Sequence, residues 1–322
     1  MGRNARRSHW FRSCLVFFLL TILPSTDLYG GGAWVRRAHG FYAELAFGYY
    51  QTGDFFNRNG IRRNLRISKD PSNPAAVFQG LENSTFRQFD SGFYLEYGIG
   101  HNLEFSMYFA LQVVAQQDSD IGKFQVNGIS DSMFGIKYQW LRVSSLVSAI
   151  QINVGVPVGD AAAQGMATGR APQPIPLGDN EWDFALQLHL SKSFYPTPAY
   201  ISAAGGYRYR TSGSQGADFA DDFPLSIEAG YTIQLNEGPR FSSLTTKVAL
   251  RGLISTEERE AFGFGTIDVT GFSSQQDVLD IEAGFSLGLV REIAFFSSFM
   301  YNLAGQNTGA GWGIRFGVSF AR

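Results

Sequence analysis

From Asn102 to Ala115 the chain reads NLEFSMYFALQVVA, with Leu103, Phe105, Met107, Phe109, Leu111 and Val113 on one parity and Glu104, Ser106, Tyr108, Ala110 and Gln112 on the other. Side chains alternate across a strand, so this is a β-strand with one apolar and one mixed polar face. An ordinary strand runs about five or six residues, whereas a membrane-spanning strand needs roughly nine to eleven. The stretch has the second length.

The pattern recurs at Phe41 to Tyr49, Phe89 to Tyr97, Phe134 to Trp140, Ile150 to Val156, Trp182 to Leu190, Ile201 to Tyr209, Leu225 to Leu235, Leu244 to Leu250, Leu279 to Leu289, Ile293 to Tyr301 and Trp312 to Phe320, which makes twelve strands in all. Short connections at IGH, RVSS, FYPT, NEGP and VRE alternate with longer ones around residues 53 to 85, 116 to 127, 158 to 178, 211 to 223 and 257 to 276. A soluble sandwich has no reason to keep its long loops at one end. An even-stranded outer-membrane barrel has this asymmetry, with short periplasmic turns and long external loops. The expected fold is all-β, a transmembrane antiparallel up-and-down barrel of about twelve strands with both termini periplasmic. Lipid requires every sheet edge to be closed, which turns the large apolar parity outward. Leu103, Phe105 and Phe109 should face lipid, and Glu104, Ser106 and Gln112 the lumen.

The amino terminus is a separate unit. Arg3, Arg6, Arg7 and Arg12 precede the apolar run from Cys14 to Leu23, which is too short for a membrane-spanning helix and fits a secretory signal peptide over residues 1–32. The mature barrel domain would then be residues 33–322. Cys14 is the only cysteine, so the mature chain is expected to lack disulfides and thiol chemistry. Aromatic residues at 15%, 37 glycines and 17% charged residues fit apolar side chains spread along strands. The net charge of -2 argues against a nucleic-acid partner. The partners expected of such a chain are outer-membrane lipid and lipopolysaccharide, the barrel assembly machinery and a small-molecule solute. The carboxyl-terminal GWGIRFGVSF resembles the signal by which barrels are delivered for assembly, although Ala321 and Arg322 follow its last aromatic.

The inward parity carries Glu44, Glu96, Glu104, Lys137, Glu181, Asp183, His189, Arg208, Arg210, Glu228, Lys247, Arg251, Asp280, Glu282 and Arg315. So charged a lumen is not a dry core. Centring the FYPT turn sets Glu181 opposite Arg210 and Asp183 opposite Arg208, with Trp182 by Tyr209 and Phe184 by Tyr207 on the outer face as an aromatic girdle. Centring NEGP sets Glu228 opposite Lys247, and the next connection sets Arg251 opposite Asp280. The ladder reads either as wall stiffening by ion pairs worth at most about 1 kcal/mol each in water, or as a field across a selective constriction.

At the periplasmic end the IGH turn brings Glu96 opposite Glu104, with Glu44 on the preceding strand. Such like charges need an intervening cation or base, for which Lys137 and Arg315 are candidates. Asp160 and Asp179 flank the loop of residues 158 to 178, but two carboxylates are too few to specify a calcium site. The first long loop carries Arg58, Arg62, Arg63, Arg66 and Lys69, read as a solvated basic loop that could also meet lipopolysaccharide phosphates. A barrel hydrolase would need a serine activated by histidine, and only His189, with Ser202 roughly opposite, offers the pair; no third orienting group accompanies it. No phosphate-binding glycine motif and no metal-ligand spacing is present, so no metal, cofactor or catalytic residue is expected.

The segments GISDSMFGIKYQWL, INVGVPVGD, GDNEWDFALQLHLSKSF and AAGGYRYR, within Gly128 to Leu235, resemble the outer-membrane family named for the MetA pathway of phenol degradation. The resemblance implies a twelve-stranded, transporter-like barrel passing hydrophobic or aromatic compounds, with no catalytic residues to carry over. The first long loop lies outside the matched region. The expected function is therefore passive passage of small solutes across the outer membrane. The rival reading is a non-conducting surface barrel acting through its external loops as an adhesin, receptor or envelope-stabilising protein.

Overall fold

A computed structural model of the chain describes residues 32–64, 66–68, 81–119, 122–160, 163–165, 173–174, 177–178, 180–211, 219–235, 242–256, 276–290 and 292–322. Of the expected signal peptide only Gly32 lies within that set.

Twelve long strands form the wall: β1 Phe41–Thr52, β2 Leu81–Gly100, β3 Leu103–Ser119, β4 Ser132–Val143, β5 Leu146–Val156, β6 Asp183–Ser193, β7 Ala199–Arg210, β8 Asp222–Gln234, β9 Ser243–Ser255, β10 Asp277–Val290, β11 Ile293–Gln306 and β12 Trp312–Ala321. Each pairs antiparallel with its sequence neighbours, and β1 pairs with β12 from Tyr42↔Ala321 to Gln51↔Trp312, so the sheet closes without an edge. The fold is the expected antiparallel barrel. A strand of twelve residues tilted by about 45° rises roughly 28 Å, the height of a bilayer's hydrocarbon core.

Burial follows parity, inverted relative to a soluble protein. On β6, Phe184, Leu186, Leu188 and Leu190 are 45–56% exposed, whereas His189 between them is 4% exposed. Glu96, Glu104, Glu181 and Asp222 are almost wholly enclosed by the wall they line. Aromatic pairs reinforce the outer seam, Phe41 with Phe320 at 5.4 Å and Phe47 with Phe316 at 5.8 Å between ring centroids.

The alternation breaks once inside β3. A bulge lets Ser91 pair with Gln112 and Gly92 with Ala110, leaving Leu111 as the extra residue. An extra residue reverses the facing of all that follows. Gln112 is therefore exposed on the outer wall, and Val113 and Ala115 are buried inside, which corrects the sequence expectation that Gln112 faces the lumen.

Two additional groups of residues enter the barrel. At the end bearing the long connections, Phe124 sits on the Gly122–Gly128 strand paired with β3, and Ala163 and Leu177 come from the β5–β6 connection; all three are buried against Tyr50, Phe86, Ala110 and Val113. At the other end, residues 32–40 lie within the barrel mouth before β1 begins, with Ala33 fully enclosed against Val147 and Ala149. The composition of this segment gave no sign that it would turn inward.

Candidate functional site

The lumen collects the charged residues. Moving up from the terminal end, Glu44 on β1 meets Arg315 on β12 at 3.4 Å. Beside them Glu96 and Glu104 share two cations. Lys137 Nζ lies 2.9 Å from Glu104 and 4.0 Å from Glu96, and Arg36 Nε donates to Glu96 at 2.8 Å. The backbone N–H of Arg36 donates to Glu104 at 2.7 Å, and its guanidinium lies 4.9 Å from the centre of the Tyr42 ring. Burial opposes the charge on Arg36, but Glu96, Glu104 and Tyr42 beside it together outweigh that cost and raise its pKa.

Glu96 is paired with Ser106 rather than Glu104, because the chain turns on His101 and Asn102, both at positive φ, later than a turn centred on IGH, and Glu104 lies opposite Lys137 on β4. The acidic rim is thus an enclosed ion cluster, with Arg36 supplying a cation that the alternation pattern missed. Gly98 permits the crossing: a Cβ there would strike the carbonyl oxygen of Arg37, while its N–H donates to Gly40 and its carbonyl accepts from His39.

Further round the wall Lys247 lies 3.3 Å from Glu228 and 4.0 Å from Glu282, and Arg251 contacts Glu282 on β10. The expected register across β9 and β10 holds, Arg251↔Asp280, but the guanidinium reaches diagonally to Glu282 while Asp280 accepts from Asn302. Across β8 and β9 the register differs: Lys247 stands opposite Gly230 and Glu228 opposite Ala249. Gly230 leaves room for the Tyr200 ring, whose hydroxyl donates to Glu228 at 2.7 Å.

The β6–β7 register is also corrected. Asp183, not Glu181, stands opposite Arg210, and Arg208 faces Ala185. The connection of residues 194–198 closes with Phe194 N–H donating to Ala199, which centres the turn one residue later than expected and moves every pairing by two. Phe184, not Trp182, is opposite Tyr209, and Ser202 is opposite Ser191 rather than near His189. Ser202 Oγ lies 2.7 Å from Ser191 Oγ, so the histidine–serine pair required for hydrolysis is not formed.

The charges on these strands still meet, through a residue that the parity argument overlooked. Asp222, the first residue of β8, lies 2.6 Å from Arg208 and 3.4 Å from Arg210, while Asp183 lies 3.4 Å from Arg208 and 3.9 Å from Arg210. Glu181 precedes β6 and accepts the Phe219 backbone N–H at 2.9 Å, and Arg210 covers the Phe219 ring at 5.2 Å. The long-loop mouth is therefore divided, with an ion network on the β6–β8 side and the Tyr50, Phe86 and Val113 apolar cluster on the β1–β3 side.

In the first long loop Arg62 binds Asp54 at 2.8 Å and donates to the Tyr301 hydroxyl at 2.6 Å, which raises its pKa. The backbone carbonyl of Asp160 accepts the Leu177 N–H at 3.0 Å, while Lys69 and Asp179 lie outside the described residues.

No family model and no curated protein matches the chain. Among solved structures, the COG4313 outer membrane channel from Pseudomonas putida F1 is 12% identical, with 91% of this chain and 99% of that chain covered at a TM-score of 0.60. The NanC porin, 9% identical over 86% of this chain and 98% of its own, gives 0.46. The CymD monoaromatic hydrocarbon channel, 11% identical over 88% of each chain, gives 0.43. At such identities the likeness is one of fold.

Proposed function

We propose that the protein is an outer-membrane channel or facilitator for small solutes, held closed in the described state, and that it does no chemistry. One observation carries this reading. Most of the inner wall is polar and ionised; where it is apolar, at Tyr50, Phe86, Tyr108 and Val113, it packs against Phe124, Ala163 and Leu177 from outside the twelve strands, and residues 32–40 enter at the terminal end. Segments that are not part of the wall can leave the lumen without unfolding the barrel. The burial of Phe124 and Leu177 also disfavours the rival, a surface barrel that presents its loops to a partner.

The proposed solutes are small and include apolar or aromatic ones, because Tyr50, Phe86, Tyr108 and Phe124 form an apolar cluster inside the barrel. The charged residues Glu181, Asp183, Arg208 and Arg210 beside this cluster, and Glu228, Lys247, Arg251, Asp280 and Glu282 further round the wall, would screen polar solutes. Residues 1–32 would be removed on export, and the leucine and aromatic belt would meet outer-membrane lipid.

Swelling of proteoliposomes in small sugars and in aromatic alcohols tests the reading. The chain lacking residues 33–39 should pass solutes faster than the chain starting at Ala33. If neither passes any solute, and deletion of residues 158–178 abolishes binding to a cell surface or phage, the surface-barrel reading replaces this one.

A further inference from the structure

One stretch of the lumen is not knitted together. His189, Ala204, Ser226 and Arg251 are consecutive register partners across β6, β7, β8 and β9, so they form one row around the inner wall. Neighbouring strands lie about 4.8 Å apart, which separates the backbones of His189 and Arg251 by roughly 14 Å. The two residues between them are small. The resulting recess is a cavity of about 30 Å³, enough for one or two waters, and Lys137, Gln151 and Glu228 also line it.

His189 is 4% exposed, and its Nε2 has no hydrogen-bond partner among the described residues; Arg251 is 8% exposed, and its Nε is likewise without one. Leaving a buried polar atom unsatisfied costs about 1–3 kcal/mol, so two around one cavity call for an occupant. The carboxylates nearby are committed. Glu228 accepts from Tyr200 at 2.7 Å and Lys247 at 3.3 Å, Glu282 receives Arg251 Nη1 on one oxygen and faces Lys247 at 4.0 Å with the other, and Glu104 holds Lys137 at 2.9 Å. An arginine Nε can only donate, and His189 donates as well when its proton sits on Nε2. What the recess lacks is an acceptor with two oxygens.

We propose that this recess binds a small carboxylate, with Arg251 Nε and His189 Nε2 as its donors and Ser226 and Lys137 beside it. The planar, ionised carboxylate matches a guanidinium edge better than a neutral hydroxyl does. The site is a property of the folded lumen and does not require that the barrel conduct.

The test is imidazole NMR of the full chain from Ala33, folded in detergent and labelled with ¹⁵N-histidine, titrated with sodium acetate against sodium chloride at equal ionic strength. The His189 signal is assigned by its loss in His189→Gln. Acetate should shift it saturably with a roughly millimolar midpoint, chloride should not, and Ser226→Leu, which fills the recess, should weaken the response at least about ten-fold. If Ser226→Leu does not fold, Ala204→Val serves the same purpose. A His189 signal indifferent to acetate, equally moved by chloride, or equally responsive in the filled variant overturns the proposal and leaves water as the occupant.

Discussion

Lys137 has both its neighbours of opposite charge inside the wall, Glu104 at 2.9 Å and Glu96 at 4.0 Å, and is itself almost fully enclosed. Removing one partner of a buried pair costs about 3–5 kcal/mol because the other charge is stranded, while removing both can be nearly neutral. Lys137→Met should therefore lower the unfolding free energy by that amount, read from guanidinium unfolding curves, and adding Glu104→Gln should recover more than half of it; equal midpoints for the single and double variants would contradict the pairing. At this scale the sequence was informative about facing and weak about partners. The inward parity of Glu44, Glu96, Glu228 and Arg251 was legible because side chains alternate. Which charge meets which depends on rotamers and diagonal reach, so Arg251 binds Glu282 instead of its register partner Asp280.

Among the elements, β3 shows where alternation stops being a guide. A one-residue bulge at Leu111 turns Val113 inward and Gln112 outward, and nothing in VVAQQ distinguishes that outcome from an unbroken strand. Val113→Asn should cost about 2–4 kcal/mol by placing an amide in the apolar cluster, whereas Gln112→Leu should change stability by no more than about 0.5 kcal/mol. Urea or guanidinium midpoints decide it, and the reverse ranking would restore the straight register. All twelve strands were legible, because length and alternation carry that information locally. The β6–β7 and β8–β9 registers were each displaced by two residues, because the backbone hydrogen bonds that set them, Phe194 N–H to Ala199 and Leu235 N–H to Ser242, are left open by the residue types.

In the whole molecule, the segment before β1 is the component no periodicity announced, since its nine residues, 32–40, form no strand. It is held by Ala33 N–H donating to Ser191 at 2.8 Å, by Trp34 edge-on to Tyr200 at 6.1 Å, and by Arg36 on Glu96 and Glu104. Gly98→Val, whose side chain would strike the Arg37 carbonyl, should displace the segment without touching a charge; hydrogen exchange at His39 and Gly40 should rise relative to the barrel strands, and unchanged protection would count against this crossing. The proposed channel has an ionised lumen closed at its terminal end by residues that are not part of the wall. Single-channel conductance in a planar lipid bilayer, comparing the chain from Ala33 with its Arg36→Ala variant at the same salt concentration, tests this most directly. Conductance several-fold larger in the variant and proportional to salt is the predicted result. Equal conductance in the two, or silence in both with the barrel folded, would contradict it.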